Sequence, residues 1–108
     1  MCGITGAYSA SPVQYDEWNA SLQKMAGAIA HRGPDDQGIW IAADCGIGFG
    51  HRRLSIVDLS PSGHQPMISR SGRFVITYNG EIYNFRDLRK DLIGAGFSFK
   101  SASDTEEK

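Results

Sequence analysis

The sequence predicts an α+β domain. Two stretches with helical periodicity are set among short segments that alternate apolar with small or polar residues, and glycine and proline punctuate the joins. The 13 glycines and 4 prolines are spread along 108 residues without low-complexity runs, so they mark turns. Hydrophobic residues make up 41% and charged residues 21%, the composition of a chain that buries a core, and the length suits one small domain.

The elements follow in order. Cys2 to Ser9 alternates small and apolar residues, which predicts a strand almost at the terminus. From Asp16, a candidate N-cap, the residues Trp18, Leu22, Met25 and Ile29 recur on one face of a helix, which Gly33 and Pro34 then end. A loop from His31 to Gly38 leads into a hairpin of two strands, Ile39 to Ala43 and Gly46 to Ile56, turning at Asp44. Asp58 to Gly72 holds Pro61, Pro66 and several serines with little periodicity, and reads as a loop. A strand is expected over Arg73 to Tyr78. Asn84 then caps a second helix that turns Phe85, Leu88 and Leu92 to the core until Gly94 and Gly96. Alternation over Phe97 to Ser101 predicts one more strand. Ser103 and Glu106 have the spacing of a capping box, so the chain is expected to be cut from something longer.

Composition excludes several classes of function. Lysine and arginine number 11 against 12 aspartates and glutamates, so no general field attracts nucleic acid or an anionic membrane. No run approaches the roughly 18 apolar residues of a membrane span. The first 15 residues are uncharged but mostly small and polar, unlike a secretory signal, so a cytoplasmic location is expected, with Cys2 and Cys45 as thiols. His31, His51 and His64 fit no metal spacing with either cysteine, so no metal is expected and the histidines are assigned to turns or loops. Gly94 to Ser101 has Phe99 where a phosphate loop needs glycine, and Gly46 to His51 misses the dinucleotide fingerprint.

Four places carry candidate chemistry. Removal of Met1 would leave the Cys2 thiol on the same residue as a free α-amine, whose pKa of roughly 7.7–8.0 suits it to take the thiol proton; alternatively, Cys2 is a small packing residue. Asn79 and Gly80, at the end of a predicted strand, offer a side-chain amide and a backbone N–H to a developing oxyanion, or they form an ordinary Asn-Gly turn. Glu81, Tyr83 and Asn84 add more polar function than a turn requires. Arg52 and Arg53 fall on opposite faces of a strand, so one can grip a carboxylate while the other meets solvent. Asp104 either binds an ammonium group or favours a helix N-terminus.

Taken in order, Cys2-Gly3-Ile4, His31 to Asp35 (HRGPD), Arg53 to Asp58 (RLSIVD), Asn79 to Asn84 (NGEIYN) and Ser103 to Glu106 (SDTE) resemble the glutaminase domain of the glutamine-hydrolysing asparagine synthetases. These are class II glutamine amidotransferases of the N-terminal-nucleophile hydrolase superfamily. The resemblance covers residues 1–108 and implies part of an αββα sandwich. It implies Cys2 as the nucleophile that forms a γ-glutamyl thioester, with Asn79 and the Gly80 N–H as the oxyanion hole. It further implies Arg53 on the glutamine α-carboxylate and Glu81 and Asp104 at its α-ammonium end. The implied partners are glutamine and a synthetase domain that uses ATP and magnesium and lies outside these residues; a homodimer is left open. No cofactor is expected within the chain itself. The alternative is an inactive fragment that associates through an uncovered sheet face.

Overall fold

The computed structural model describes residues 2–55 and 63–99. Strand β1 (Gly3–Tyr8), helix α1 (Tyr15–Ala28), strands β2 (Asp36–Ala42) and β3 (Ile47–Arg53), the short strands β4 (Met67–Ile68) and β5 (Val75–Ile76), and helix α2 (Phe85–Gly94) follow along the chain. The class is α+β, as expected. β3 is the middle of an antiparallel sheet in the order β1-β3-β2, with Gly3 opposite Arg52 on one side and Gln37 opposite Arg52 on the other. The predicted hairpin is therefore present. Its turn is a 3-10 turn at Ala43–Cys45 closed by Gly46 at φ 65°, a left-handed conformation that glycine adopts without penalty.

α1 packs on one face of this sheet. Its buried residues are Leu22 and Ala26, where Met25 was expected; Met25 is exposed, because a four-four spacing from Trp18 places Ala26 over the sheet. Gly48 and Gly50 of β3 make the approach possible, since side chains there would meet Leu22, the Trp18 ring and Ala26. The helix begins one residue before Asp16. Gln14 occupies the cap position with no side-chain bond, while Asp16 and Glu17 in the first turn complement the helix dipole. A 3-10 turn at Ala30–Arg32 separates the helix from Gly33 and Pro34.

The opposite face has two halves. Near Asp36, His51 and Arg53 it is covered by the segment around Gly63–Pro66, whose backbone lies against Gly38. Toward the other end, Trp40 stacks on Phe49 with ring centroids 5.5 Å apart and Tyr8 is exposed, as is Ile4 on the β1 edge beside His51. That half is apolar and open among the described residues.

Several expectations are corrected beyond the sheet. The loop predicted from Asp58 to Gly72 contains β4, which pairs with β5 through Met67–Ile76 and Ile68–Val75. Pairing shortens the strand expected over Arg73 to Tyr78 to two residues. Asn84 caps α2 by position with no side-chain bond, and Phe85, Leu88 and Leu92 are half-buried, so this helix contributes no buried residue. Residues 97–99 form no strand, since the N–H of Phe97 turns back to the Leu92 carbonyl at 3.0 Å. The capping pair Ser103 and Glu106, with Asp104, lies outside the described residues.

Candidate functional site

The site is built at the end of the sheet where β1 begins and β3 ends. Cys2 precedes β1, and the antiparallel register carries it to the residues after Arg52. There the Leu54 N–H donates to Cys2 Sγ at 3.3 Å, and the thiol donates to the Leu54 carbonyl at 3.7 Å. The half-buried thiol is thus held in place by one peptide unit of the strand that carries Arg53.

The HRGPD segment braces this end through Arg32, Gly33 and Asp35. Gly33 is buried, and a side chain there would strike the Arg52 backbone, so the position requires glycine. Arg52 Nε donates to the Gly33 carbonyl at 2.9 Å, and Arg32 Nε donates to the Cys2 carbonyl at 3.3 Å. The Asp35 N–H donates to the Arg53 carbonyl at 3.0 Å, and Asp35 Oδ2 accepts the Ser55 N–H at 2.8 Å. Both sides of Arg53 are therefore tied down. Arg52 and Arg53 do fall on opposite faces, with Arg53 only 7% exposed and its guanidinium lying against Gly63.

Asn79 and Gly80 enter from a different part of the chain. Tyr78, just before them, has its carbonyl bonded by His51 Nε2 at 3.2 Å and donates its N–H to Gln65 Oε1 at 2.8 Å. The Tyr78 ring lies against Gly80, where a side chain would collide with it. Asn79 is half-buried, while Gly80 and Glu81 are exposed. Cys2 has no hydrogen bond to Asn79, Gly80 or Glu81 among the described residues. The structure thus brings Cys2 and Arg53 to one strand end and anchors the Asn79-Gly80 segment to the same strand two residues away.

His51 corrects an expectation directly. Grouped with the other histidines in turns or loops, although the strand expected over Gly46 to Ile56 contains it, it is inside β3 and 1% exposed. Burial pushes its imidazole below the ordinary value near 6.5, aided by neighbouring His64 and Arg53, while the Tyr78 carbonyl and Asp36 pull the other way. A neutral ring has one N–H, and the carbonyl can only accept, so that proton is on Nε2. His64 Nδ1 meets Asp36 Oδ2 at 2.5 Å on the adjoining strand. Among the described residues no cluster of three or more histidine, cysteine or carboxylate side chains has the arrangement of a metal site.

A strand-end thiol beside a buried arginine, with an Asn-Gly segment anchored nearby, defines a protein with a candidate nucleophile and an anion anchor. Residues 1–107 match the model of the glutamine amidotransferase domain, and the chain belongs to that family. It is 40% identical over 107 residues to asparagine synthetase [glutamine-hydrolyzing] 1 of Bacillus subtilis (strain 168), covering 98% of this chain and 16% of that protein. A putative asparagine synthetase [glutamine-hydrolyzing] 2 of Methanocaldococcus jannaschii is 39% identical over 122 residues, covering 98% of this chain and 22% of that protein. Amidase chry2 of Gibberella zeae is 38% identical over 114 residues, with 98% and 17% covered. The chain spans less than a quarter of each of these relatives.

Proposed function

We infer that the chain is the glutaminase part of an asparagine synthetase-like amidotransferase and that Cys2 is its nucleophile. The observation that carries this is the thiol at position 2, fixed by the Leu54 peptide beside buried Arg53, in a chain of this family. Once Met1 is removed, the Cys2 α-amine takes the thiol proton, and Sγ attacks the carboxamide carbon of glutamine. The Asn79 amide and the Gly80 N–H receive the oxyanion. Collapse breaks the carbon–nitrogen bond, the amine returns its proton to the departing ammonia, and water hydrolyses the γ-glutamyl thioester to glutamate. Arg53 pairs with the substrate α-carboxylate, and Glu81 with Asp104 takes its α-ammonium.

In the longer parent, ammonia passes to a carboxylate activated with ATP and magnesium, aspartate giving asparagine, and the described layers form part of an αββα sandwich in a cytoplasmic enzyme. No helix of the described residues is long and apolar enough to cross a membrane. Glutamine hydrolysis by this chain and by Cys2→Ala tests the reading. Loss of at least about a thousandfold in the variant is expected for a missing nucleophile, and retained hydrolysis overturns it.

A second reading is favoured by the open apolar half-face of Tyr8, Trp40 and Phe49. In it the chain is inactive alone and pairs with a second copy through that face. Sedimentation that is independent of concentration would exclude it.

A further inference from the structure

We propose, resting on the glutaminase reading, that His51 is a positioning residue whose Nε2–H holds the Tyr78 carbonyl and so sets the orientation of Asn79 and Gly80. Tyr78 lies beyond the last paired residue of β5, so neither of its backbone groups takes part in the β4–β5 ladder. Buried side chains replace that ladder: His51 donates to the carbonyl and Gln65 accepts from the N–H, across 27 and 13 residues of chain respectively. Both are buried, at 1% and 6% exposure. A polar group so enclosed is retained only with its partner, because leaving either side unpaired is costly.

His51 is well placed to transmit position. It lies on the central strand, opposite Ile4 on one side and Gly38 on the other, so the ladders on both sides fix its place. Ile4 is two residues from Cys2, and Arg53 is two residues from His51. The same short stretch of ladder therefore carries the thiol, the arginine and the donor that fixes the Asn-Gly segment. The carbonyl held by His51 belongs to the peptide whose N–H is that of Asn79. Rotation of this peptide would swing both proposed oxyanion donors.

The test uses the whole chain with His51→Leu, which keeps the bulk and removes the donor, and His51→Gln, whose carboxamide nitrogen falls near the Nε2 position. With rates normalised to folded protein, His51→Leu is expected to lower kcat about tenfold to a hundredfold, the scale of a misplaced catalytic group, with little change in KM. His51→Gln is expected to restore most of it. Unchanged kcat in His51→Leu, or equal losses in both variants, overturns the proposal. Amide hydrogen exchange provides a readout independent of turnover. Exchange at Tyr78, whose N–H donates to Gln65 Oε1, is expected to quicken in His51→Leu and recover in His51→Gln while α1 amides keep their protection. Unaltered exchange at the Tyr78 amide overturns the proposal. Absence of hydrolysis by the unaltered chain overturns the glutaminase reading, and the exchange result still decides the role of His51.

Discussion

One methyl group added at Gly38 tests how the segment that holds Tyr78 is seated on the sheet. Gly38 is buried in β2 opposite His51, and a side-chain carbon there would run into the Gln65 carbonyl oxygen and come within 2.7 Å of His64 Nε2. The left-handed glycines are Gly46, Gly72 and Gly96, so alanine at position 38 meets no backbone strain and the whole effect is steric. In open space, alanine would gain about 0.5–1 kcal/mol over glycine in a strand. Here the obstacle is backbone, which cannot swing aside as a side chain does, and overpacking of this kind costs about 1–3 kcal/mol. The Gly38→Ala chain is therefore expected to unfold at lower temperature, by about 4–8 °C for each kcal/mol in a domain of this size. Thermal unfolding followed by circular dichroism measures it. Gly27→Ala is the control: that glycine has nothing within 4 Å of the added carbon, and the same methyl should stabilise slightly. A Gly38→Ala protein as stable as the unaltered chain would refute the seating of Gln65 on β2, and with it the proposed hold on Tyr78.

Two further predictions concern the core and the buried imidazole. Leu22→Ala removes the largest fully buried apolar side chain among the described residues, at 1% exposure, from its seat over Gly48, and should cost about 2–5 kcal/mol in denaturant unfolding; a loss under about 1 kcal/mol would show that α1 does not pack there as described. Because His51 titrates lower when folded than its ordinary value near 6.5, the unfolded chain binds the extra proton. Its contribution is complete above about pH 6.5 and is lost as pH falls from there through the lower folded value. The facing groups Asp36, Arg53 and His64 remain in His51→Gln, so the variant should lose less stability between neutral and mildly acidic pH. Equal losses in the two proteins would contradict the buried neutral ring.

The parts of the site that depend on residue type were legible in the sequence. A thiol at position 2, an Asn-Gly pair and two consecutive arginines each point to a chemistry through their functional groups alone. Alternation was enough to put Arg52 and Arg53 on opposite faces. What remained hidden was the partner across the chain. The strand expected over Gly46 to Ile56 includes His51, but a lone histidine near glycines carries no local sign of burial, and its partner is a carbonyl 27 residues away. The β4–β5 pair escaped for the same reason, since two-residue strands show no period. Met25 and Ala26 were confused because helical spacing alone admits either, and only the glycine-lined surface of β3 selects the small residue.

The most direct test of the central claim is intact mass after exposure to an electrophilic glutamine analogue, with and without excess glutamine, followed by mapping of the modified residue. A chain without Met1 is expected, labelled once at Cys2 and protected by glutamine, while exposed Cys45 stays unmodified. Labelling that glutamine does not reduce, or that falls on Cys45 instead, would contradict the assignment of Cys2 as a glutamine-directed nucleophile.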